Sequence, residues 1–233
     1  MNKGIFTFLT PILMIGTYLS AFEGGKPTCN RFIINYFLYL LTSFSIYFTA
    51  MKVYDQKNVQ IEKSNVIVLS LLLFILIIGI IFIKNRTLQH VIYLCILLIF
   101  AYLQKYFLQK YDKGVIEDTL KKMMVIIVIS VIIAIKYPHY MNDNFLAILF
   151  YSLIFVILFR VIDVVIFDKK YNDRISTILV FLFSCLIMYD TNRVIQASKE
   201  CRIRGGSPNY LDYVLDMFLN LENLFNNLID VLD

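Results

Sequence analysis

From Val66 to Ile83 the chain reads VIVLSLLLFILIIGIIFI, a run without a single charged side chain. Roughly eighteen to twenty apolar residues in a helix cross the hydrocarbon of a bilayer, and a soluble fold has no use for several such runs. This chain has several. Of its 233 residues 59% are hydrophobic and only 17% charged, with a mean hydropathy of +0.72, which places it among membrane proteins. Cutting at the charged gaps predicts seven spans, at about 32–51, 66–83, 88–104, 123–137, 145–167, 175–192 and 210–229. The expected fold is all-α: a polytopic membrane protein, a seven-transmembrane-helix bundle with an extra apolar segment at its N-terminus.

That extra segment, Ile5 to Phe22, follows Lys3 and contains Pro11 and Gly16. A signal sequence, a short eighth span and a helix lying in the interface all fit it. Phe22-Glu23-Gly24 offers no clean small-x-small cleavage signal, which favours retention. Residues 1–28 are therefore expected to be a membrane-associated segment ahead of a transmembrane domain at 29–233. Breaks are expected at Gly24-Gly25 with Pro27, at Pro138, and at Gly205-Gly206-Ser207-Pro208. Lys and Arg divide almost evenly between the two sides of the seven spans, so the positive-inside rule sets no orientation.

The net charge of +5 does not point to nucleic acid, because the basic residues are scattered through short hydrophilic gaps where they suit lipid headgroups. The expected partner is the bilayer itself. Of the four cysteines, Cys95 and Cys185 lie in apolar segments and Cys29 and Cys201 in polar gaps. There is no Cys-x-x-Cys, and only His90 and His139 stand by to complete a metal site, so no metal and no cofactor are expected. Cys29 and Cys201 fall on the same membrane side, which permits a disulfide, although free thiols are the expectation. Phosphate loops, zinc-protease helices, nucleophile elbows and dinucleotide fingerprints are missing from the sequence, so catalytic residues are not expected either.

Polar groups inside the apolar segments carry the functional signal. In the last span Asp212, Asp216, Asn220, Asn223, Asn227 and Asp230 recur every three or four residues and so form one stripe on a helix. Met217, Leu221, Leu224 and Leu228 repeat beside it, with Glu222 and Asn226 on a flank. An amide or carboxyl facing lipid is costly, so the stripe is expected to face other helices or water. Interhelical glue, a hydrated pathway, and a helix lying flat at the interface each account for it. Asp190 stands near the edge of an otherwise apolar sixth span, as an interfacial cap or a functional acid. Arg160 and Asp163, three apart on the fifth span, read as a counter-ion pair, with Asp190 or the last span's acids as the other partners open to Arg160.

Two segments resemble a known family. Met188 to Arg193 (MYDTNR) is similar to the Tyr-Asp pattern of the transmembrane Bax-inhibitor-motif proteins. Met217 to Phe225 (MFLNLENLF) is similar to their Leu-Tyr-Leu-Asp-x-x-Asn-Leu-Phe. Arg31-Phe32 followed by Tyr36 to Tyr47 resembles the family's entry into its first span. The resemblance implies a seven-helix bundle in an internal membrane such as endoplasmic reticulum or Golgi, leaking calcium in a pH-dependent way and restraining cell death. Large DNA viruses are among the family's carriers, which makes a viral internal membrane, with membrane or capsid protein partners, the alternative setting. It also implies a sensor of two aspartates, of which Asp190 matches the first, while Asn220 stands where the second is expected. Two close carboxylates share a proton and titrate together, whereas an acid with an amide does not. Asp190, Asn220, Asp216 and Asn223 are thus the expected ion pathway or gate, with calcium or protons as permeants. A structural membrane protein without transport is the alternative.

Overall fold

The computed structural model describes residues 5–23, 26–57, 62–204 and 208–233. The expected breaks at Gly24-Gly25 and Gly205 to Ser207 lie outside the described residues. Among the described residues the apolar runs are helices: α1 (Ile5–Ala21), α2 (Phe32–Gln56), α3 (Lys63–Phe82), α4 (Arg86–Leu108), α5 (Lys113–Lys136), α6 (Asp143–Ile166), α7 (Asn172–Arg204) and α8 (Tyr210–Leu232). A helix satisfies all its backbone hydrogen bonds internally, which is what lets apolar sequence sit in hydrocarbon. Two-residue strands β1 (Phe22–Glu23) and β2 (Lys26–Pro27) pair antiparallel between α1 and α2. A single 3-10 turn, Pro138–Tyr140, follows α5 where Pro138 ends the helix.

Five of these helices, α2, α3, α4, α6 and α7, are long and apolar enough to cross a membrane. Among the described residues α5 and α8, which hold the expected fourth and seventh spans, match them in length but carry more polar side chains. Several helices outrun the expected spans. Lys113 to Lys122 forms the first turns of α5, and α7 continues past Asn192 to Arg204. Lys, Glu and Gln are good helix formers, so charge ends the contact with lipid without ending the helix.

The described chain divides into two units. One comprises the residues up to Lys110 together with Arg204–Leu215; the other comprises Tyr111–Ile203 and Asp216–Asp233.

In the first unit α1 lies antiparallel on α2, joined by hydroxyl groups. Thr10 Oγ1 lies 2.6 Å from Ser45 Oγ and 2.9 Å from Thr49 Oγ1. Further along, Thr17 and Thr42 share a 2.7 Å bond, and Ser20 Oγ donates to Asn35 Oδ1 at 2.6 Å. The segment before Glu23 is thus a helix paired along its length. On the other side of α2 the hydroxyl of Tyr39 bonds His90 Nδ1 on α4 at 2.7 Å. Lys105 of α4 donates to the carbonyl of Tyr54 at 2.7 Å. Gln89 of α4 donates to the carbonyl of Ile83, just past α3, at 2.8 Å. Most of α3 is exposed, Ile67, Leu71, Phe74, Ile78 and Ile81 among them, as a lipid-facing helix requires. At the start of α8 the hydroxyl of Tyr210 donates to the carbonyl of Thr28 and accepts from Asn35 Nδ2.

The second unit holds α5, α6, most of α7 and the rest of α8. Its buried side chains include Leu149, Val156, Leu179, Phe218 and Leu224, while Phe150, Phe155, Leu158 and Val165 of α6 are exposed. Cys95 and Cys185 carry free thiols. The expectation of free thiols at Cys29 and Cys201 is corrected, since both are disulfide-bonded; pairing is a matter of distance in the fold and cannot be read from spacing.

Candidate functional site

In the second unit α7 presents five consecutive polar side chains, Tyr189 to Arg193, straight after a stretch from Ile178 to Met188 that is apolar but for Ser184. Four have separate tasks. Thr191 donates to its own helix at Ile187 O, a bond of 2.7 Å that hides its hydroxyl. Asn192, 2% exposed, donates to the carbonyls of Met141 at 3.1 Å and Pro138 at 3.3 Å, tying the turn between α5 and α6 to α7. The remaining two reach α8. Asp190 Oδ2 accepts from Asn220 Nδ2 at 2.6 Å, and Arg193 NH1 donates to Asp216 Oδ2 at 2.5 Å.

These two bonds are unlike in weight. Asp190 is 7% exposed, and a charge-assisted bond to a buried carboxylate is worth more than a neutral one because little water competes for it. The Arg193 and Asp216 side chains are 41% and 43% exposed, and an ion pair that open contributes at most about 1 kcal/mol. Together they line a cavity of about 520 Å³, open to one side, whose wall also includes Leu146 of α6 with Leu186 and Leu219. The cavity thus brings together a buried acid, an amide that orients it and a more open ion pair.

The other expected residues fall elsewhere. Asn223 is exposed and donates back to Leu219 O at 2.8 Å, so it does not face the interior. The reason is geometric: the buried row is Met217, Leu221, Leu224 and Leu228, and Asn223 lies off it. Asn227, 5% exposed, is interior as expected. Arg160 is bonded to Asp230 at 3.0 Å rather than paired with Asp163. Asp163 Oδ1 accepts from the backbone N–H of Tyr171 at 3.0 Å, at the entry to α7, and is 1% exposed. Three residues apart on a helix permits the pair, but α7 and α8 offer both side chains nearer partners. Arg193 and Asn192, which the sequence presents only within the MYDTNR segment, and Tyr111 are partners without a role of their own in the sequence pattern; the unbroken polar run from Tyr189 to Arg193 is the signal for the first two.

Comparison with known proteins agrees with this layout. An uncharacterized membrane protein of Vibrio cholerae serotype O1 is 32% identical over 84 residues, which is 36% of this chain and 34% of that protein. An uncharacterized protein of Campylobacter jejuni is 32% identical over 79 residues, 34% of each chain. These matches span about a third of the length of the curated relatives. A family model described as inhibitor of apoptosis-promoting Bax1 matches residues 29–233. With that match covering both polar helices of the site and all five apolar candidate spans, the chain belongs to the Bax inhibitor-1-like family of multi-pass membrane proteins.

Proposed function

We propose that the chain forms a cation leak pathway, for calcium or protons, through an internal cell membrane such as the endoplasmic reticulum or Golgi, and that it restrains cell death by lowering the stored ion. The observation that carries this reading is the buried carboxylate of Asp190, held by Asn220 beside the Arg193–Asp216 pair in an open cavity. An intramembrane acid is expensive to keep and serves ion or proton movement by default. Asp190 and Asn220 act as the gate, Asp216 as the outer acid. No catalytic group takes part.

A structural membrane protein without transport, in a viral internal membrane and bound to membrane or capsid proteins, is the second reading. It is favoured by Asn220, because the amide locks Asp190 in a bond that no change of protonation at position 220 can release. Calcium and proton flux through liposomes containing the purified protein, between about pH 5 and 8, separates the two. The leak reading expects flux above empty liposomes with weak pH dependence. It also expects a pH step in Asn220→Asp, where two carboxylates share a proton, and loss of the step when Asp190→Asn is added. No flux from any folded variant leaves the structural reading.

A further inference from the structure

The guanidinium of Arg160 is surrounded by oxygen. NH1 donates to Asn227 Oδ1 at 2.7 Å, and NH2 donates to Asp230 Oδ2 at 3.0 Å and to Asn172 Oδ1 at 3.3 Å. All three oxygens come from helices other than its own. Asn227 Nδ2 is committed to Asn223 O at 2.7 Å, which fixes its Oδ1 toward Arg160. The second oxygen of Asp230 accepts from the hydroxyl of Tyr111. Asp230 is largely closed to water and Arg160 only in part, their side chains being 10% and 32% exposed. A carboxylate and two amide oxygens converging on one point, each oriented by its own bonds or by the helix it starts, are a donor set that a hard cation takes. Here the chain fills it with its own positive charge.

We propose that Asp230, Asn227 and Asn172 are a second cation site, distinct from Asp190, and that Arg160 occupies it as a tethered plug. The two places are well separated. At a rise of ~1.5 Å per residue, Asn172 stands about 27 Å along α7 from Asp190, and Asp230 about 15 Å along α8 from Asn220. The ligand class is a divalent cation that prefers oxygen, such as calcium, bound when the guanidinium leaves. Three protein oxygens leave the rest of the shell to water, which puts the unplugged site at a Kd of about 10⁻⁴–10⁻³ M. The inference concerns binding and stands whether or not the chain transports ions.

Terbium luminescence on the full-length protein in detergent tests it. The chain has no Trp, so sensitised emission reports tyrosine, and the Tyr111 hydroxyl bonds the proposed ligand Asp230. Arg160→Gln is expected to gain a calcium-displaceable emission several-fold above the unmodified protein. Adding Asp230→Asn should abolish that gain and adding Tyr111→Phe should cut it sharply, whereas Arg160→Lys, which keeps a tethered charge, should show none. Unchanged emission in folded Arg160→Gln overturns the proposal. If Arg160→Gln is too unstable to hold, its melting in millimolar calcium decides: recovery toward the unmodified Tm supports a vacated cation site, and no recovery assigns Arg160 a purely structural bond.

Discussion

Replacing Asn220 by leucine removes the amide that holds Asp190, and the structure sets how much that matters. The bond is 2.6 Å long and its acceptor residue is 7% exposed. A hydrogen bond to a charged group contributes about 1.5–3 kcal/mol net, and here the stranded partner is a carboxylate with little water to turn to. For a chain of this size ~1 kcal/mol moves the melting point by about 2–4 °C, so Asn220→Leu is expected to melt about 3–12 °C lower in detergent. Asn223→Leu is the control. It lies three residues on in the same helix, has the same chemistry, and is exposed with its amide turned onto its own backbone. Surface changes of this kind stay within about 0.5 kcal/mol. The double variant Asp190→Asn with Asn220→Leu should lose less than the sum of its parts, since the two residues touch. Equal melting of the two leucine variants, or full additivity in the cycle, refutes the assignment of Asn220 as the partner of Asp190.

Other outcomes follow from single contacts. Asp163→Ala should cost about 1–3 kcal/mol, because the part-buried N–H of Tyr171 loses its acceptor, and hydrogen exchange should quicken in the first turn of α7 and not in α8; protection unchanged at Tyr171 would count against it. Burial, then the bond and charge of Asp230, push the Tyr111 phenol above its ordinary range. The folded state thus keeps a proton that the unfolded chain releases near pH ~10, so the stability this group contributes is complete below that pH and declines above it. Tyr111→Phe should flatten the alkaline fall in Tm; an identical fall in both proteins would show that Tyr111 does not titrate with unfolding. Thiols placed at Lys57, Lys113 and Lys170 should label from one side of the membrane and those at Asn85 and His139 from the other. Neighbouring loops reacting from the same side would break the seven-span layout.

Much of this architecture is legible in the sequence because lipid imposes a simple demand. Val66 to Ile83 can be little other than a helix set in lipid, and the structure has α3 there with an apolar surface left uncovered by the rest of the described chain. Asp190 and Asn220 were legible as a pair only through the resemblance of MYDTNR and MFLNLENLF to family patterns; periodicity alone gave the stripe and not the partner. Asn223 shows the limit of the stripe. A three-four repeat defines a face but not which edge of that face is covered, and α8 is buried widely enough that the apolar row beside the stripe is the covered one. Arg160 shows another limit. Helical spacing identifies Asp163 as a neighbour within reach, but a flexible guanidinium goes to the best acceptor in three dimensions, here Asp230 and two amides.

The hydroxyl ladder from Thr10 to Ser20 makes α1 and α2 interdependent during assembly. Thr42, Ser45 and Thr49 of α2 meet hydroxyls of α1, Thr42 while also donating to Leu38 O of its own helix at 2.8 Å, and α1, with Pro11 inside it, is a weak helix by itself. Side by side and antiparallel, each offers the other's hydroxyls a polar contact across the pair. The two are therefore best inserted as one hairpin, with β1 and β2 at its bend, and a tag or deletion that holds α1 out of the membrane would take the interhelical contacts from Thr42, Ser45 and Thr49 as α2 leaves the translocation machinery.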